Sequence, residues 1–111
     1  MSIRIQDLID HTLSEGGGTF VSGTPTDFAS GFVVGGLAPT SIVAVDDLSE
    51  LVCVLHEFVN THEVFGTWVD AGQVHVDAVQ WLQDEGEALR LVKELGQIAI
   101  WDCAERKEVR L

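Results

Sequence analysis

Basic residues are scarce in this chain. Only six of 111 positions are Lys or Arg, against eighteen Asp and Glu, for a formal net charge of −12. Just two of the six are lysines, Lys93 and Lys107. Such a surface repels phosphates, which argues against direct binding to DNA or RNA, and it also disfavours anionic membranes. Cysteine is nearly missing as well. Cys53 and Cys103 are far apart and form no CxxC pair. The start, Met1-Ser2-Ile3-Arg4, runs directly into a polar amphipathic segment and lacks the apolar core of a secretory leader. The longest uncharged stretch, Phe28 to Val45, is broken by Gly31, Gly35, Gly36 and Pro39, so it reads as strands and turns and not as a membrane span. These features together predict a reduced, cytoplasmic protein.

Familiar catalytic and cofactor signatures are also missing. Gly16-Gly17-Gly18 follows a helical pattern and opens no new helix, so it reads as a helix stop and not as a phosphate loop. Gly31 to Gly36 does not spell the dinucleotide fingerprint. His56-Glu57 and His62-Glu63 lack the HExxH spacing; six positions apart, the two histidines would point about 120° away from each other on a helix. No nucleophile elbow of the G-x-S-x-G type occurs. No cofactor, metal ligand set or catalytic residue is therefore assigned.

What is present is an ordinary globular composition, 46% hydrophobic, in a length that suits one domain over residues 1–111. Ile5, Leu8, Ile9 and Thr12 share one helical face between Ile3 and Ser14. Short strands follow at Thr19–Val21, Gly31–Val34 and Ser41–Val45, punctuated by Pro25 and Pro39. Asp47-x-x-Glu50 has the form of a capping box and opens a helix to Asn60. Its apolar stripe is Leu48, Leu51, Val52, Leu55, Phe58 and Val59, with Glu50, Cys53, Glu57 and Asn60 opposite. Val64 to Trp81 reads as a hairpin turning at Asp70-Ala71-Gly72. The apolar phase changes after Val76, which predicts a bulge near Asp77-Ala78. Asp84-x-x-Glu87 opens a helix with Ala88, Leu91, Val92 and Leu95 inward and Gly96 as its stop. Gln97–Asp102 is apolar on both faces, as in a central strand, and Glu108–Leu111 pairs back on it. The expected fold is α+β, a mainly antiparallel sheet with two or three helices packed on it as a single pair of layers.

Few residues invite chemistry. His75 and Asp77 fall on one strand face and could form an oriented base, although no nucleophile motif accompanies them. Asp70, Asp77 and Asp102 could gather at one sheet end. Cys53 is expected to be partly covered by another element, since its wheel position is outward and free cysteines favour burial. Trp68, Trp81 and Trp101 fall on strands, where they serve sheet packing or an aromatic contact with another protein.

The segments Gly66-Thr67-Trp68-Val69-Asp70, Gly96-Gln97-Ile98-Ala99-Ile100-Trp101-Asp102 and Glu108-Val109-Arg110-Leu111 resemble small uncharacterised proteins of actinobacteria and their phages. That resemblance covers part of the C-terminal half. It implies a phage or prophage setting, in which small acidic proteins often act by occupying a host protein, and it transfers no catalytic residue.

The resulting expectation is a non-enzymatic, acidic protein-interaction domain, inhibitory in a phage setting. Its candidate contact residues are Glu50, Cys53, Glu57 and Asn60 on one helix and Asp70, His75 and Asp77 on the hairpin. Two alternatives stand beside it: a DNA mimic occupying a DNA-binding protein, and a small enzyme or ligand-binding domain using His75 and Asp77. A homodimer through a sheet edge or the Cys53 face is compatible with all three. The acid excess also fits simple solubility or a saline environment.

Overall fold

Local chemistry sets the helix ends. A computed structural model describes residues 4–110, and its first helix, α1, spans Ile5–Glu15. Ile3, the expected start, lies outside the described residues. Gly16 stops α1 in the left-handed conformation, with φ of 79°, where a Cβ would be strained. The next two glycines do more than stop the helix: they open β1 (Gly17–Val21), which is followed by β2 (Thr24–Pro25), β3 (Phe32–Val34) and β4 (Ser41–Ala44). β2 was not anticipated, because its two residues look like a proline-marked turn.

Helix α2 (Leu48–Thr61) begins on Asp47, whose carboxylate accepts the Glu50 N–H at 3.3 Å. Only this half of the expected capping box forms there. The Asp47 N–H donates instead to the Ala44 carbonyl, so Glu50 has no donor to receive. Next come β5 (Val64–Asp70), β6 (Gln73–Ala78) and β7 (Gln80–Leu82). The β5–β6 turn is Ala71-Gly72, both at positive φ (51° and 77°), the twist a two-residue hairpin requires. Helix α3 (Glu85–Glu94) starts on Asp84, which accepts the Glu87 N–H at 3.1 Å. It ends in a Schellman pattern: Gly96 N–H donates to Lys93 and Gln97 N–H to Val92. The chain closes with β8 (Ala99–Asp102) and β9 (Lys107–Arg110); Leu111 lies outside the described residues.

The α+β class holds, but the strands divide between two antiparallel sheets where one was expected. The larger has the order β2-β1-β5-β6-β4 and the smaller β7-β3-β8-β9. β8 is internal, as its two apolar faces suggested. Helices α1 and α2 cover one face of the large sheet, enclosing Leu8, Ile9, Phe20, Leu51, Leu55 and Phe65. Thr12 joins this core and meets Thr67 of β5 through a buried hydroxyl pair at 2.8 Å. Helix α3 covers one face of the small sheet through Ala88 and Val92, against Val34 and Ile100. Among the described residues no helix is long and apolar enough to cross a membrane.

The phase change after Val76 is not a bulge within one ladder. β6 belongs to the large sheet and β7 to the small one, with Val79 alone between them. Its N–H still donates to Val64 of the large sheet at 3.3 Å. Reversal of the inward face is what a strand shows when it leaves one sheet for another, and sequence cannot separate that from a bulge.

Candidate functional site: a cleft between the two sheets

Among the described residues the helices pack on one face of each sheet, and the opposite faces line an open cleft of about 1080 Å³ that His11 and Glu15 of α1 also border. The large sheet contributes Gly17, Gly18 and Thr19 of β1, Gly66 and Trp68 of β5, and His75 and Asp77 of β6. The small sheet contributes Val33 of β3, Ala99 and Trp101 of β8, and Glu108 of β9. Val79 and Gly35 belong to both walls' junction and also line it. Register explains these sets. Trp68 sits opposite Gly17 on one side and His75 on the other. Trp101 sits opposite Val33 and Glu108. Cross-strand partners share a face, so each tryptophan emerges on the cleft side with its neighbours.

Glycine keeps the walls low. A Cβ on Gly17 would lie 2.5 Å from the Thr67 carbonyl oxygen, and Gly17 has a φ of 146°. On Gly35 a Cβ would lie 2.5 Å from the Asp77 carboxylate. Neither position has room for a side chain, and Trp68 and Trp101 stand exposed on the two walls. Trp68 is 57% exposed and Trp101 44% exposed. Trp68 packs on His75 with ring centroids 5.1 Å apart. Trp81, in contrast, is occupied: it stacks on Phe28 and donates its Nε1–H to the Ser30 carbonyl at 2.9 Å.

Asp77 sits half-buried in this cleft. Its carboxylate accepts the Gly36 N–H at 3.0 Å and the Thr40 hydroxyl at 3.3 Å. Burial pushes its pKa above the usual aspartate value, despite the opposing effect of those two donors. These contacts tie the chain after β3 to β6. They also engage the carboxylate with donors other than His75, whose ring lies against Trp68, so the expected His–Asp base is not assembled. A second link crosses the cleft. Arg106, in the β8–β9 turn, pairs with Asp27, in the segment after β2.

The other candidate residues lie elsewhere. Glu50, Cys53, Glu57 and Asn60 are exposed along α2, away from the cleft lining, and Asp70 is exposed at the hairpin turn. Cys53 was expected to be partly covered; it is exposed, because among the described residues no element covers that side of α2. Asp70, Asp77 and Asp102 do not gather. Asp102 caps its own turn by accepting the Ala104 and Glu105 N–H groups. His56 meets Asn60 on α2, and His62 packs on Phe58. Among the described residues, no three His, Cys, Asp or Glu side chains converge as a metal site would need. Cys103 is buried, and burial, then the Asp102 and Asp27 charges, raise its thiol pKa. Sequence reasoning missed Glu15, Asp27 and Glu108, and the glycine floor. The available signal was the outward phase of Trp68 and His75 on two adjacent strands.

No family model, no curated protein and no solved structure matches the chain.

Proposed function

We propose that this chain is a non-enzymatic, acidic protein-interaction domain that docks its partner in the cleft between the two sheets. The observation that carries this reading is a pair of exposed tryptophans, one from each sheet, facing a shared open cleft. Large aromatic rings supply much of the energy at protein contacts, and solvent-exposed ones on opposed walls are poorly explained by folding alone. The net charge of −12 selects basic partners and repels nucleic acid. It also opposes self-association, because pairing two copies sets one strong negative field against another.

Mimicry of a polyanion is less favoured. That role calls for carboxylates in a row along one side, whereas here they occur on α1, α2, α3 and the loops of both sheets. A small-ligand reading has one observation behind it, since His75 and Asp77 do line the cleft. The lack of a His75–Asp77 bond and the open shape weigh toward a docking surface over a reaction centre. In the phage setting that the sequence resemblance suggests, the partner is a host protein and the outcome is its inhibition.

The test is affinity capture with the wild-type chain beside the double variant Trp68→Ala, Trp101→Ala. Partners recovered by the first and lost by the second support the reading. Equal recovery by both removes the cleft from the contact.

A further inference from the structure

The cleft's own charges describe what would fill it. Four carboxylates line it, on Glu15, Asp27, Asp77 and Glu108, against one lining guanidinium, Arg106, which is bound to Asp27; Glu108 also lies 3.7 Å from the exposed Arg110 guanidinium on its own strand. A cationic occupant is therefore complementary, and the walls narrow its chemistry further. Tryptophan is the best aromatic partner for a cation, and a planar guanidinium can lie flat on its ring while its edge binds carboxylates. A lysine ammonium is more strongly hydrated and has no plane to stack. Gly66, two residues before Trp68 on the same face of β5, carries no side chain, so a flat group can approach the wall beside that ring. Asp77 still has acceptor capacity, because its carboxylate offers about four sites and only two donors are in place. Glu108 lies directly across the strand pair from Trp101, which places an acid beside a ring on the small-sheet wall. At about 1080 Å³ the cleft lies at the upper end of small-molecule sites and is open along its face.

We infer that, within the docking role proposed above, the cleft receives an extended, arginine-bearing segment of the partner, its guanidinium planes stacked on Trp68 and Trp101 and paired with Asp77 and Glu108. Arg106 bound to Asp27 is an internal instance of the same chemistry between the two walls.

The experiment uses the full chain and three capped heptapeptides bearing arginine, lysine or citrulline at alternate positions. Binding is followed by tryptophan fluorescence and calorimetry. The arginine peptide should bind more tightly than the lysine peptide and about tenfold more tightly than the uncharged, equally planar citrulline peptide. Trp68→Ala, Trp101→Ala and Glu108→Gln should each weaken it about three- to tenfold while leaving the far-UV circular dichroism unchanged. These three residues are exposed, so the fold should survive their replacement. Equal binding of the arginine and citrulline peptides would overturn the inference, as would unaltered binding by both tryptophan variants. The two readings fail separately. Partner capture that needs the tryptophans, with no preference for arginine, would leave the docking role standing and discard this occupant. Partner capture that ignores the tryptophans would discard the docking role itself.

Discussion

Thr12 and Thr67 allow a quantitative test of how α1 is fastened to the large sheet. Their hydroxyls meet at 2.8 Å, from positions 55 residues apart. Thr12 is 0% exposed and Thr67 6%. Threonine to valine keeps the branched shape and exchanges the hydroxyl for a methyl. Either single change removes one partner and leaves the other buried hydroxyl unpaired, which costs about 1–3 kcal/mol. The two singles should differ. Thr67→Val strands the fully enclosed Thr12 hydroxyl and belongs near the top of that range. Thr12→Val leaves the hydroxyl of Thr67, a residue that keeps slight exposure, and belongs near the bottom, at about 1 kcal/mol. Replacing both removes the unpaired group altogether, so the double variant should lie within about 1 kcal/mol of wild type. The coupling energy is then about 3 kcal/mol or more, well outside additivity. Urea unfolding of the four proteins measures it, and thermal midpoints should follow at roughly 4–5 °C per kcal/mol for a domain of this size. Additive losses, with the double variant the least stable of the four, would refute the hydroxyl pair as the fastening.

Gly17→Ala should destabilise by about 3 kcal/mol or more, since its Cβ meets the Thr67 carbonyl at 2.5 Å on a residue with φ of 146°; a midpoint shift in urea reports it, and a neutral result would show that β1 can move off β5. Asp77 should make a pH-dependent contribution with a definite sign. Its folded pKa is raised, so its stabilising contribution is complete below the unfolded value near 3.8 and is lost as pH climbs through the folded value. Asp77→Asn should therefore be more stable than wild type at pH 7, with the advantage vanishing below about pH 3.8 in denaturation at a series of pH values. A thiol-reactive probe should label one cysteine quickly and one only on unfolding: Cys53 is exposed, while Cys103 is buried and carries a raised pKa.

Much of the fold could be read from short-range pattern. Asp47 and Asp84 mark helix starts because an N-cap depends on residues within one turn. Gly16 and Gly96 mark helix ends for the same reason. The inward stripe of α2 was right at Leu51, Leu55 and Phe58, but Leu48 and Val52 at its margin are exposed, since periodicity does not say how wide a neighbouring surface will be. The division into two sheets was hidden. It depends on Val79, where a change of phase has two structural meanings. The cleft was hidden with it, because Trp68 and Trp101 come from different sheets and nothing local relates them. The sequence places Asp77 beside His75, two positions away. Its actual partners, Gly36 and Thr40, lie 41 and 37 positions off.

One feature of the backbone sets the mechanical character of the molecule. β6 and β7 are one run of chain interrupted at a single residue, and the turn of β8–β9 is clasped to the segment after β2 by Arg106 and Asp27. The two walls are thus joined by continuous main chain at one place and by an exposed ion pair at another. Dissolved salt weakens an exposed ion pair and leaves the covalent run untouched, so the two fastenings differ in what can release them.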